Sequence, residues 1–106
     1  MELKDLMTYL TNKNNEMENL MLIIKANGTI AYVRFEDKPS LKQMQDLVGG
    51  YIEPTTIPYL DEQGDYIVIV NEEGMLNRLP VNHTVYTLFG AYLYGDIIIM
   101  KKEYLQ

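Results

Sequence analysis

Asn27-Gly28 lies between two apolar runs, residues 20–26 and 29–35. Asn-Gly readily fills the two positive-φ positions of a type I′ turn, so this spacing predicts a β-hairpin closed by that turn. Ile30, Tyr32 and Arg34 fall on one face of its second strand. Ala31, Val33 and Phe35 fall on the other, which reads as the core side.

The hairpin commits the chain to a sheet, and the remaining segments read as what covers and extends it. Leu3, Leu6, Met7 and Leu10 sit at i, i+3, i+4 and i+7, the stripe of an amphipathic helix. Pro39-Ser40 opens a second helix, with Ser40 as N-cap and Gln43 completing a capping box. Leu41, Met44, Leu47 and Val48 form its apolar stripe, and Gly49 is its left-handed stop. Residues 51–57 read as extended, with Pro54 marking an edge or a bulge. Residues 61–65 read as a loop and 66–70 as a central strand covered on both faces. Asn71-Glu72-Glu73-Gly74 is a turn, 75–79 a short returning strand, and 79–88 an irregular stretch or short helix. Residues 97–100 form a last strand after Gly95-Asp96. The expected fold is α+β: one largely antiparallel sheet with two or three short helices packed on it. The expected core includes Leu47, Val48, Ile67, Ile69 and Ile98.

A chain of 106 residues fits one domain, burying roughly 65% of the surface its unfolded form exposes. The expected organisation is an N-terminal helix and connector, 1–19, joined to an α+β domain, 20–106, in one compact unit. The absence of cysteine excludes a disulfide framework, a thiolate zinc site and a cysteine nucleophile. No secretory leader or membrane-length apolar run is seen, which places the expected location in the cytoplasm.

The net charge of −6 is unevenly placed. Residues 43–77 carry Asp46, Glu53, Asp61, Glu62, Asp65, Glu72 and Glu73 with no Lys or Arg, while the two flanking segments are nearly balanced. Such a surface repels phosphate backbones, so direct nucleic-acid binding is not expected, and it attracts basic partners.

Little in the sequence carries catalytic chemistry. His83 is the only histidine, and Ser40, the only serine, is accounted for as a helix cap. Residues 61–65 place carboxylates beside Gly64 but lack the alternating ligands and closing Glu of a calcium loop. Gly49-Gly50 lacks the surroundings of a phosphate loop. No metal, cofactor or catalytic residue is assigned. Of the nine tyrosines, Tyr51, Tyr59, Tyr66, Tyr86, Tyr92 and Tyr94 fall in or beside strands and suit half-buried positions, and Tyr51 and Tyr59, next to the acids, are candidate interface anchors.

One block is more specific. Leu47-Val48-Gly49-Gly50-Tyr51-Ile52-Glu53, Asn71-Glu72-Glu73-Gly74, Leu79-Pro80-Val81-Asn82 and Gly95-Asp96-Ile97-Ile98-Ile99 together resemble a family of small domains of unknown function carried by phages, plasmids and other bacterial mobile elements. The resemblance covers residues 20–101. It departs from the pattern in the helix over 2–13, which is an addition, and in 81–94, which is poor in small polar residues. That family resembles type II-A anti-CRISPR proteins, small acidic inhibitors without enzymatic activity. The resemblance implies structural roles for Gly49, Gly50, Asn71, Gly74, Pro80, Asn82 and Gly95. It also implies a protein partner, the type II CRISPR effector nuclease with or without its guide RNA; a homodimer is compatible with it. The residues expected to contact that partner are Glu53, Asp61, Glu62, Asp65, Glu72 and Glu73, with Tyr51 and Tyr59. Two other readings stand beside this one: a sponge for a nucleotide signal, against which there is no phosphate cradle, and an accessory protein whose acids only solubilise it.

Overall fold

Leu20–Ile24 is apolar at every position and buried at every position, the pattern of a strand covered on both faces. The computed structural model describes residues 19–57 and 65–105. The order is β1 (Leu20–Ile24), β2 (Ile30–Arg34), α1 (Leu41–Val48), β3 (Ile52–Thr55), β4 (Tyr66–Asn71), α2 (His83–Phe89) and β5 (Ile97–Lys101), followed by a 3-10 turn, Lys102–Leu105. The expected helix over 3–12, with Tyr59, Asp61 and Glu62, lies outside the described residues.

The five strands form one antiparallel sheet in the order β2-β1-β5-β4-β3. The strand latest in sequence is therefore the middle one. Register aligns Leu22, Ile99 and Val68 in one transverse row and Ile23, Ile98 and Ile69 in the next. Because side chains alternate, the two rows face opposite sides. The first side packs against Val85 and Phe89 of α2 and against Ile57. The second packs against Met44 and Val48 of α1, with Tyr104 and Leu105 at its margin. The fold is thus α+β, an antiparallel sheet with a short helix on each face. Of the five expected core residues, Val48, Ile69 and Ile98 are buried, and Leu47 and Ile67 are half-buried against the same cluster.

Both helices are bounded by local chemistry. Ser40 Oγ accepts from the Gln43 N–H at 3.1 Å, and Gly49 at φ +82° closes α1 with its N–H on the Gln45 carbonyl. Asn82 and Gly90 do the same for α2. Leu41, expected in the buried stripe of α1, is exposed because it lies in the first turn, ahead of the two residues that reach the sheet.

Two local expectations are corrected. The β1–β2 connection is not a two-residue type I′ turn. Lys25 N–H bonds the Thr29 carbonyl, Gly28 N–H bonds the Lys25 carbonyl, and within the loop only Gly28 has positive φ. Asn27 instead accepts from the Thr29 N–H at 2.9 Å. The result is a three-residue loop with glycine at the left-handed position. Residues 75–79 do not return as a strand. Residues 72–78 coil through consecutive turns, with the Asn77 N–H on the Glu73 carbonyl and the Leu79 N–H on the Gly74 carbonyl. Met75 and Leu76 are left 69% and 82% exposed.

Candidate functional site

The motif residues gather into two joints, each built around a buried asparagine. Among the described residues, Asn71 and Asn82 are the buried polar side chains, and both are fully partnered, as burial of an amide requires.

In the first joint, pairing of Ile52 with Asn71 sets the end of α1 beside the 71–74 turn. Asn71 Nδ2 donates to the Val48 carbonyl at 3.1 Å, and its Oδ1 accepts from the Glu73 N–H at 2.8 Å. The Glu72 N–H donates to the Tyr51 carbonyl at 2.8 Å. A Cβ on Gly50 would lie 2.9 Å from Asn71 Nδ2, and one on Gly74 3.2 Å from Tyr94 Cβ. A side chain at Gly50 would have to displace the Asn71 amide, and one at Gly74 would crowd Tyr94 more mildly.

In the second joint, Asn82 Nδ2 donates to the carbonyls of Ile24 (2.8 Å) and Gly95 (2.9 Å), and its Oδ1 caps α2 through the Val85 N–H. The Gly95 N–H donates to the Pro80 carbonyl at 2.7 Å, and Gly95 itself has φ +78°. Asp96 Oδ1 accepts from the Ala26 N–H, fastening the same region to the end of the hairpin.

Beside the first joint lies an open groove of about 470 Å³, lined by Gln45, Asp46, Gly49, Gly50, Tyr51, Asn71, Glu73 and Asn77. Two carboxylates, three amide side chains and a tyrosine that is 67% exposed line it, and among the described residues no cation lines it. The α1 C-terminus ends here without a basic residue in its last turn, so the negative end of the helix dipole adds to the acids. Among the described residues Asp46 pairs only with Lys42, at 3.3 Å on an exposed surface.

Of the residues expected to bind a partner, Tyr51 and Glu73 line the groove. Glu72 is exposed next to it in sequence. Glu53 is exposed on β3, an edge strand. Its partner Val70 packs on the α2 side of the sheet, so Glu53 faces away from α1. Asp65 lies at the opposite end of β4 from Asn71, about 20 Å away at roughly 3.3 Å per residue. The acids of 43–77 therefore do not form one face. Gln45 and Asn77 carried no signal in the sequence. Asp46 stood out only as one of many acids, although its place three residues before Gly49 put it in the last turn of a legible helix.

His83, at the start of α2, is exposed. Among the described residues no three acidic or imidazole side chains converge to hold a metal ion, and no helix is long and apolar enough to cross a membrane. Tyr86 and Tyr92 stack with ring centroids 4.6 Å apart. The side-chain hydrogen bond with Tyr86, together with the charge interaction with that residue, holds the Tyr92 hydroxyl above its ordinary value.

Both joints and the groove fall within residues 17–104, the span matched by a family model described as a domain of unknown function, DUF3846. The chain belongs to the DUF3846 family. No curated protein and no solved structure matches it. The match of the DUF3846 domain begins at residue 17, two residues before the described structure starts.

Proposed function

We propose that this DUF3846 domain is a non-enzymatic binding module that docks a basic segment of another protein, and that its target is the RNA-guided nuclease of a type II CRISPR system, which it inhibits in the bacterial cytoplasm. The observation that carries the docking reading is the groove beside the first joint: concave, walled by Tyr51, bearing Asp46 and Glu73, and lined by no cation among the described residues. An aromatic anchor within an acidic concavity complements a positively charged surface. Met75 and Leu76, exposed on the turn that also carries Glu73 and Asn77, add an apolar shoulder. Large exposed apolar groups held next to charge are a common mark of an interface. The non-catalytic reading is supported by the use of Ser40 as a helix cap and by the exposed position of His83. The nuclease enters through the sequence resemblance, and such an effector holds guide and target in a positively charged channel that a compact acidic domain can occupy.

The test mixes the purified domain with type II effectors, with and without guide RNA, and follows target cleavage and co-migration by size exclusion. Loss of cleavage with formation of a complex is expected. The association rate should fall as salt rises, more steeply than the dissociation rate changes. Undiminished cleavage by every effector at excess domain, with no co-migration, would remove the nuclease as target.

A further inference from the structure

We infer that the groove is a guanidinium site, which takes a single arginine side chain of the partner and discriminates against lysine. This rests on the docking reading above and sharpens its chemistry. Gln45, Asp46, Tyr51, Glu73 and Asn77 supply different things to one concavity. Tyr51 offers an aromatic face on which a planar cation stacks. Asp46 and Glu73 are carboxylate acceptors, and the oxygens of Gln45 and Asn77 are neutral ones. A guanidinium has five donors in a flat fork and can meet several of these acceptors while its plane lies against the ring. An ammonium is a compact, strongly hydrated point charge that gains less from an aromatic wall.

Three further observations favour a cation of this kind. The helix end over the groove lacks the basic residue that commonly sits in a last turn. Asn71 already satisfies the Val48 carbonyl and the Glu73 N–H, so the groove floor is fixed before anything binds. Among the described residues Asp46 is held only by Lys42, whose head is largely exposed. That pair runs in the less favourable direction, base N-terminal to acid, and exposed pairs of this kind are weak. Asp46 can therefore exchange Lys42 for an incoming guanidinium. A metal ion is a poorer occupant, because only two carboxylates line the groove and no third acidic or imidazole ligand joins them among the described residues.

The experiment titrates the full chain with acetyl-Gly-Arg-Gly-amide, following the backbone amide resonances of Gly49, Gly50, Glu73 and Asn77. The lysine and citrulline analogues are run in parallel. Saturable shifts at these four amides are expected with a Kd on the order of 10 mM, as one aromatic–cation contact and two exposed ion pairs would give. The lysine peptide should bind about fivefold or more weakly, and the uncharged citrulline peptide should leave the amides unmoved. Glu73→Gln and Tyr51→Ala should each abolish saturation while leaving the remaining spectrum in place. Equal shifts with lysine, or shifts that survive both substitutions, would overturn the assignment. The outcome is separable from the proposal above: a domain that captures the nuclease but ignores the arginine peptide keeps its function and loses this site. One that binds the peptide but no effector keeps the site and loses the target.

Discussion

The two asparagine joints use the same chemistry in opposite settings. Asn82 is fully enclosed and ties three segments that are distant in sequence: the end of β1, the start of α2 and the approach to β5. Asn71 ties the end of α1 to the turn after β4 and lies at the floor of an open groove. Each joint leaves no room for a Cβ at one glycine, Gly95 against Leu79 and Gly50 against Asn71, but beside Asn71 the side chains of Tyr51, Glu72 and Glu73 reach solvent. The contrast separates a joint that holds the fold from one that holds a surface in position.

The largest expected effect is at Asn82. Asn82→Ala leaves two carbonyls and the Val85 N–H without partners in the interior. At ~1–3 kcal/mol for each buried unsatisfied group, a loss of about 3–5 kcal/mol is expected. Asn71→Ala orphans one carbonyl and one N–H that is only partly buried, and about 1–3 kcal/mol is expected. Urea unfolding of the two variants measures the difference. Equal losses would erase the distinction between the joints.

The glycines come next. Gly95→Ala forces a left-handed residue and sets its Cβ 2.9 Å from Leu79 Cδ1, whereas Gly49→Ala at φ +82° meets open space. Gly49→Ala should cost about 1 kcal/mol from the backbone alone. Gly95→Ala should exceed it by ~1 kcal/mol or more from crowding. A difference within error in thermal unfolding would mean that Leu79 moves aside freely.

Gly50→Ala tests whether the first joint is cooperative. Its Cβ would displace the Asn71 amide, so its effect should shrink once Asn71 is already alanine. A double-mutant cycle should give a coupling of about 1 kcal/mol. Additive losses would place the strain elsewhere. The smallest stability effects belong to Tyr51→Ala and Glu73→Gln, expected within about 0.5 kcal/mol because both side chains are exposed. Those are the same changes expected to abolish binding. Large destabilisation by either would return the groove to the structural joint beneath it.

How far the sequence foretold this follows from the kind of signal each part leaves. Ser40, Gly49 and the stripe between them act within one turn of chain, so α1 was legible almost to the residue. The apolar runs of β1 and β5 marked strands, but neighbours are chosen by long-range packing, so the middle place expected for 66–70 belongs instead to β5. Met75, Leu76 and Leu79 resembled a strand. The 71–74 turn, tied down by Asn71, instead winds the chain onward, and Arg78 adopts φ +55° to end that winding. The separation of Asp65 from Glu73 was foreseeable: an extended segment lies between them, and its length alone keeps them apart. The groove was not, because it needs Asn77 and Gln45 brought together across a turn.

The place of β5 also governs when the domain can come into being. As the chain leaves the ribosome, β1–β2 and β3–β4 emerge first, each a hairpin with a long apolar edge left bare. Neither can join the other until residues 97–101 arrive to lie between them, a matter of seconds at roughly 5–20 residues per second. During that interval two sticky edges are open to each other and to neighbouring chains. A translation product that stops before β5 would be two fragments of sheet without a keystone, so only chains read through to that strand can complete the sheet.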